Sequence, residues 1–479
     1  GFLLVKNSAS IVSAGTERMV VEFAEKNLIA KARSRPDLVK QVIDKSLRDG
    51  VIPTLKTALN RLDKPMALGY SSAGVVIQVG AGITDFSIGD RVACAGSGYA
   101  SHAEYVLVPV NLAAKIPDDV PYEEAAFATL ASIALHGFRL ANPQIGDRVA
   151  IIGLGLLGLM LADICLAAGV QAFGTDLDPS RVELANKKGI VAVGRETVLE
   201  KGKQVSQNIG FDSVFICADT PSEDPITLAG NLSRDRGTVV VVGNVNLNVP
   251  RKSYYEKEIN ILISRSYGPG RYDSEYEEKG ADYPIGYVRW TEGRNLSAVL
   301  ELMAAKKIDV KSLISHRFQI DDGTKAYDLI TGKLNEQFLG IVLEYSSAEL
   351  QTEESKTIHF RTPVNDGGEN RDIRLGVLGT GLYASSVFLP ILSRDSRIRK
   401  VGICSAKGLN ATHAAKKYGF EFVTSDENEI LNHEDINTVV ILTRHGDHAR
   451  QIIQAIKNRK HIYCEKPLVI QHNELKSVL

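Results

Sequence analysis

Two glycine-rich turns constrain this chain more than any other feature: Gly153-Leu154-Gly155-Leu156-Leu157-Gly158 and Gly379-Thr380-Gly381-Leu382-Tyr383-Ala384. Each follows a short aliphatic run and opens a helical pattern. Glycine lets the backbone bend sharply, lets a pyrophosphate approach, and aims the free N–H groups of a helix N-terminus at negative charge. Two such turns predict two dinucleotide sites in one polypeptide.

At 479 residues the chain is long enough for about three folding units. The segment through Pro109 reads as short strands and turns, for example Gly69 to Val79 and Asp90 to Cys94. Between Glu17 and Pro65 the apolar spacing turns helical, with Leu38, Val39, Val42, Ile43 and Leu47 on one face. From Arg148 the pattern alternates strand and helix, which predicts a parallel sheet with crossover helices. Residues 346–372 are polar and aperiodic and are expected to form a flexible linker; a second alternating unit then runs from Ile373 to the end.

With 56 basic against 57 acidic residues, no global field draws the chain to nucleic acid. Five scattered cysteines fit neither a disulfide framework nor a zinc knuckle. No apolar run approaches the ~20 residues needed to cross a bilayer. A cytoplasmic setting, a small-molecule substrate and a homo-oligomer are expected. The chain opens at Gly1 without methionine and reads as a fragment.

At the first turn, Gly153, Gly155, Leu156, Leu157 and Gly158 are the expected phosphate cradle. Asp176 ends the next strand, where a carboxylate can accept both ribose hydroxyls and repel a 2′-phosphate. NAD is therefore expected there, with Arg181 leaving NADP open.

Residues 1 to about 345 resemble the medium-chain dehydrogenase/reductase superfamily, a GroES-like β domain wrapped around a Rossmann domain. The marks are Ser13-Ala14-Gly15-Thr16-Glu17, Leu68 to Val76, Gly89-Asp90-Arg91-Val92, Tyr99 to Tyr105 and the Gly153 turn. The resemblance implies a discontinuous β domain, 1–130 with 265–345 and a helical insertion about 17–65, around a Rossmann domain at 131–264. Zinc-bearing members have cysteine at Ala14 and a His-Glu pair at Tyr70-Ser71, and Ala128 to Ser132 offers no thiolate. No metal is expected, because zinc needs three or four converging soft or borderline ligands.

By the same resemblance Thr16 occupies the position of the relay hydroxyl, and Glu17, Tyr70 and Ser71 face that cleft as catalytic candidates or as residues filling the vacated metal site. Tyr99 and His102 read as structural before catalytic. Lys26, Lys31, Arg33, Arg35 and Lys40 in the insertion are cationic, and Arg265, Tyr267, Arg271, Arg289 and Trp290 form a second cluster. Arginine forks and aromatic faces suit a sugar-like or anionic substrate.

Residues 373–479 resemble the N-terminal Rossmann domain of the Gfo/Idh/MocA family. The marks are Gly376 to Ala384, Thr443-Arg444-His445-Gly446-Asp447-His448 and His461 to Pro467. The resemblance implies a cofactor site at Gly379, Gly381, Leu382, Tyr383, Ala384, Ser405, Lys407, Thr443, His445, His448, Glu465, Lys466 and Pro467, with Lys466 also catalytic. Ser405 and Lys407 stand where a carboxylate would otherwise end the second strand, so NADP is expected at this site. The family's C-terminal substrate domain is absent from this sequence.

The expected fold class is α/β with a β-rich N-terminal domain and two separate Rossmann-type doubly wound parallel sheets. The expected activity is zinc-independent, NAD(P)-dependent hydride transfer to or from an alcohol or carbonyl of a sugar or nucleotide-sugar type, as in bacterial bi-domain oxidoreductases. One active unit beside a vestigial second, a quinone or enone reductase, and a non-enzymatic NAD(P) sensor remain alternatives.

Overall fold

A computed structural model describes residues 1–25, 65–346, 356–360, 373–406 and 408–479. The described residues form two compact units, residues 1–25 with 67–346, and the described residues from 356 to 479. The expected helical insertion begins as the helix Ala14–Glu25. Its remainder, with Lys26, Lys31, Arg33, Arg35 and Lys40, lies outside the described residues, as does Lys407.

In the first unit, strand β1 (Phe2–Val12) alternates buried and half-buried residues along its first half, the period of a sheet with one face on a core. β2 (Ser71–Val79), β3 (Arg91–Ala95), β4 (Tyr105–Pro109) and β5 (Ala113–Lys115) follow it. The chain then enters an all-parallel sheet of β6 (Arg148–Ile152), β7 (Gln171–Asp176), β8 (Val191–Gly194), β9 (Phe211–Ile216), β10 (Ser233–Val241) and β11 (Asn260–Ile263). It returns to the first sheet through β12 (Ile314–Gln319) and β13 (Gly340–Glu344).

The β sheet has the order β12-β13-β1-β2-β3-β5, with β4 also on β1. The parallel sheet is ordered β11-β10-β9-β6-β7-β8. Its strand order reverses between β6 and β9, and a crevice opens at the carboxyl ends of strands at such a point. Helix Leu156–Ala167 starts there; it is apolar on most faces because it packs both on the sheet and on helix Ala128–Ala141.

The second unit is another doubly wound sheet. It contains β14 (Thr357–His359), β15 (Ile373–Leu378), β16 (Ile398–Cys404), β17 (Phe422–Thr424), β18 (Thr438–Ile441) and β19 (His461–Cys464), in the order β14-β17-β16-β15-β18-β19. β14 corrects the expectation of an unstructured linker across 346–372, because Thr357, Ile358 and His359 pair antiparallel with Thr424, Val423 and Phe422. Three residues are too few to show a period, so this edge strand left no signal in the sequence. Beyond the second turn, Ala384–Phe388 is wound as a π-helix leading into Leu389–Leu392. Pro390 sits there without an N–H to give to the preceding turn.

Candidate functional site

The three glycines of the first turn have three different tasks. Gly153 has φ +95°, and a Cβ on it would lie 2.7 Å from Ala218 N. A Cβ on Gly158 would lie 1.9 Å from Gly153 O, so helix and strand touch backbone to backbone there. Gly155 differs, since its Cβ would meet only Arg181 Nη1 at 3.7 Å. That space opens into a cleft of about 1060 Å³ at the crevice, and Gly155 is the N-cap of helix Leu156–Ala167 with no side chain capping it. Free N–H groups facing an open space fit a pyrophosphate.

Asp176 ends β7 on the cleft wall. Its Oδ2 accepts from Leu154 N at 2.6 Å and its Oδ1 from Asp178 N at 2.9 Å, so it locks the glycine turn. Each oxygen keeps a further lone pair. Arg181 Nη1 stands 3.9 Å from Asp176, and Arg195 on the same wall pairs with Asp224 at 2.6 Å. Thr175 Oγ1, also on this wall, is buried and has no hydrogen-bond partner among the described residues. The cradle and the free helix end fit a dinucleotide.

On the opposite wall lie Ser13, Ala14, Gly15, Thr16 and Tyr70. Thr16 is exposed to the cleft. Tyr70 Oη donates to Ser13 Oγ at 2.9 Å. Burial raises the Tyr70 phenol above its ordinary range, with Ser13 opposing, Glu17 adding to the rise and Thr16 opposing.

Two of the four catalytic candidates in this unit are not cleft groups. Glu17 is only 2% exposed and turns inward. Its Oε1 accepts from Ser13 N at 2.9 Å, while its Oε2 meets His102 Nε2 at 3.0 Å and accepts from Tyr327 Oη at 2.5 Å. The network continues from His102 Nδ1 to Ser10 Oγ at 2.8 Å and on to Tyr345 Oη at 2.7 Å. Ser71 Oγ is buried and donates to Ala126 O at 2.6 Å. Successive side chains step by about 100° around a helix and alternate sides on a strand, and the expectation that Glu17 and Ser71 face the cleft is corrected: both turn inward and are tied into hydrogen bonds.

Among the described residues, few zinc donors stand at the positions the resemblance singled out. Ala14 has no ligand atom, Ser71 is committed, and the described residues contain no group of three His, Cys, Asp or Glu side chains able to hold a metal ion.

The five substrate candidates divide. Tyr267 and Arg271 line the cleft. Arg265 stacks on Tyr272 at 4.4 Å, and Trp290 carries Arg289 at 3.8 Å and Arg139 at 3.2 Å. Arg265, Arg289 and Trp290 are not on the cleft wall.

The second unit repeats the glycine logic. Gly379 has φ +99° and no room for a Cβ, which would lie 2.6 Å from Leu442 O, whereas nothing lies within 4 Å of a Cβ on Gly381. Ala384 is buried, and Leu382 and Tyr383 are exposed. Ser405 N donates to Thr424 O at 3.2 Å, and Thr443 Oγ1 to Gln451 Oε1 at 2.6 Å. Glu465 N is tied to Ile441 O at 3.1 Å, while Lys466 and Pro467 are exposed beyond β19.

His448 is corrected from cofactor contact to brace. It is fully buried, with Nδ1 2.8 Å from Pro467 O and Nε2 3.2 Å from Thr443 O. A neutral ring donates from only one nitrogen. Exposed His445 meets it edge-on at 5.5 Å.

Comparisons with known proteins agree with both halves. The model of the alcohol dehydrogenase GroES-like domain matches residues 42–118, and that of an oxidoreductase family with an NAD-binding Rossmann fold, Gfo/Idh/MocA, matches 373–479. Sorbitol dehydrogenase of Bacillus subtilis is 27% identical over 308 residues, 56% of this chain and 78% of that protein. D-xylulose reductase of Scheffersomyces stipitis is 24% identical over 314 residues, 56% of this chain and 80% of that protein. Galactitol-1-phosphate dehydrogenase from Escherichia coli shares the fold, with TM-score 0.54 and 18% identity over 72% of this chain and 92% of that one. Among the described residues, no helix is long and apolar enough to cross a membrane.

Proposed function

We propose that this chain, an oxidoreductase joining a GroES-like dehydrogenase unit to a Gfo/Idh/MocA Rossmann domain, moves hydride between a nicotinamide cofactor and the carbinol or carbonyl carbon of a sugar alcohol or related sugar, without zinc. The observation that carries this reading is the open face of Gly155, which shares one cleft with the hydroxyls of Thr16 and Tyr70. The polyol and ketose chemistry in the names of the similar proteins supports the substrate class.

The bound cofactor would supply the hydride acceptor or donor. Gly155 and the N–H groups of Leu156 and Leu157 would hold its pyrophosphate, and Asp176 its adenosine ribose, which favours NAD at this site. Thr16 and Tyr70 would orient the substrate hydroxyl by hydrogen bonds. In the second unit the Gly379–Ala384 turn, Ser405, Thr443 and Glu465 would hold a second cofactor beside Lys466. No carboxylate stands at Ser405, which favours NADP there. Cytoplasmic location and homo-oligomeric assembly belong to the same proposal.

The test is spectrophotometric turnover of a polyol panel with NAD and with NADP, before and after exhaustive treatment with a chelator. Turnover that survives chelation is expected. Loss of turnover restored by zinc, or indifference to all polyols alongside rapid quinone reduction, would refute the reading.

A further inference from the structure

Among the described residues, three carboxylates line the first-unit cleft: Asp176, Asp219 and Asp224. Two are committed. Asp176 locks the glycine turn, and Asp224 holds Arg195 through hydrogen bonds of 2.8 and 2.6 Å. Asp219 is exposed in the cleft and, among the described residues, has no cationic partner. Glu17 is spent on its inward network, and Glu292, fully buried under the 266–272 loop with its N–H on Pro269 O at 2.9 Å, does not line the cleft.

The backbone that carries Asp219 is fixed. Past the ends of β9 and β10 the chain continues as two segments side by side, with Gly243 N donating to Ile216 O at 2.8 Å and Thr220 N to Asn244 O at 2.9 Å. Gly243 permits this approach, since a Cβ there would lie 2.1 Å from Ala218 O. Thr220 and Val245 then form a parallel bridge. Within this frame Asn244 Nδ2 donates to Asp219 Oδ1 at 3.2 Å and reaches Met19 Sδ of helix Ala14–Glu25 at 3.8 Å. Asp219 Oδ2 lies 3.5 Å from where a Cβ on Gly15 would stand, so glycine at that position leaves the space before the carboxylate open. The next residue is Thr16, whose hydroxyl orients the reacting group in the reading above.

The place of Asp219 along the crevice decides what it meets. Asp176 ends β7 on the adenosine side, and β9 lies across β6 from β7. A dinucleotide spanning the switch point therefore runs its nicotinamide half, with the substrate beside it, past the end of β9. An ionised carboxylate only accepts hydrogen bonds, and its two oxygens can take hydroxyls on neighbouring carbons through short, charge-assisted bonds. We infer that Asp219 is the specificity-determining residue of the cleft: its carboxylate accepts the hydroxyls that flank the reacting carbon, and so selects polyols over monohydric alcohols. The inference rests on the hydride-transfer reading above and concerns the part of the substrate that does not react. Asp219 makes and breaks no covalent bond. Held by Asn244 and by the paired backbone, it is set in place before the substrate arrives, which lowers the ordering cost of binding.

The experiment compares the full-length wild type with Asp219→Leu and Asp219→Asn, using NAD, sorbitol or xylitol, and the analogue with hydrogen in place of the hydroxyl beside the reacting carbon. Bonds to non-reacting hydroxyls hold ground state and transition state alike. The polyol KM should therefore rise about ten- to a hundredfold in Asp219→Leu, and less in Asp219→Asn, which keeps one acceptor, with kcat within about threefold of wild type. The Kd for NADH and the Tm should stay at their wild-type values, a pattern that a merely structural residue would not give. The deoxy analogue should cost the wild type about ten- to a hundredfold in kcat/KM and Asp219→Leu almost nothing. An unchanged polyol KM in Asp219→Leu, or a fall in kcat with KM unchanged, would overturn the inference alone. So would a Kd for NADH that rises in step with KM, because the carboxylate would then hold the cofactor's ribose. A wild type inert toward every polyol would overturn it together with the functional reading. Should Asp219→Leu fail to fold, Asn244→Ala, which removes the amide that holds the carboxylate, decides: it should raise the same KM severalfold, and an unchanged KM would overturn the inference.

Discussion

Alanine at Gly155 and at Gly158, three residues apart, should fail in opposite ways. At Gly158 the new Cβ would sit 1.9 Å from Gly153 O, 3.0 Å from Gly153 C and 3.4 Å from Ile151 Cγ2. Two of these three atoms are backbone, so the helix must move off the strand by roughly 1 Å, and overpacking of that kind costs about 1–3 kcal/mol. With Tm moving about 2–4 °C per kcal/mol in a domain of this size, Gly158→Ala should melt several degrees lower. Gly155 has φ −72° and room for a methyl, so Gly155→Ala should keep its stability within about 1 kcal/mol of wild type. That methyl would instead occupy the phosphate space and should raise the Kd for NADH at least tenfold, about 1.4 kcal/mol. Differential scanning fluorimetry and NADH fluorescence titration on both variants separate the two effects. Gly155→Ala binding NADH as tightly as wild type would refute the cradle, and Gly158→Ala melting at the wild-type temperature would refute the backbone contact.

Gly381→Val should fill the open face of the second turn and reduce the stoichiometry of cofactor binding by calorimetry from two per chain to one, leaving the first-site Kd unchanged. Glu17→Gln should lower stability by about 2 kcal/mol through weakened charge-assisted bonds to His102 and Tyr327, yet retain NADH affinity in the same titration. Glu292→Gln should raise Tm at alkaline pH. The unfolded carboxyl ionises near 4.5 and the folded one near 8, so the folded state holds the extra proton between these values and stability falls as pH rises across that window. Removing the carboxyl removes that loss, on the order of 3–5 kcal/mol above pH 8 with the buried amide taking back part; Tm measured from pH 5 to pH 9 should show a gain that grows to about 8 and then levels.

The turns were legible because their demand is local: a strand, a positive-φ glycine and a helix start lie within ten residues. Asp176 was legible by its spacing from the turn, although its hydrogen bonds to Leu154 and Asp178 were not. Glu17, Ser71 and His448 were misplaced because neighbours in sequence can face opposite sides of an element, and only packing shows which side meets the cleft. Glu292 gave no signal at all. It opens an ordinary-looking amphipathic helix, and its isolation exists only once the 266–272 loop closes over it. Tyr267 and Arg271 were singled out for their side-chain types, without any sign that Arg271 pairs with Glu277.

β1 lies between β2 and β13, so its residues 9–12 find partners on one side only when residues 341–344 arrive. A ribosome adding about 5–20 residues per second needs some tens of seconds to deliver them. Throughout that interval a nascent strand presents bare amides and carbonyls to the crowded cell, a template for illicit pairing. The interval between the making of these two segments is therefore one in which a chaperone would help, and slow codons placed between them would be expected to lower soluble yield.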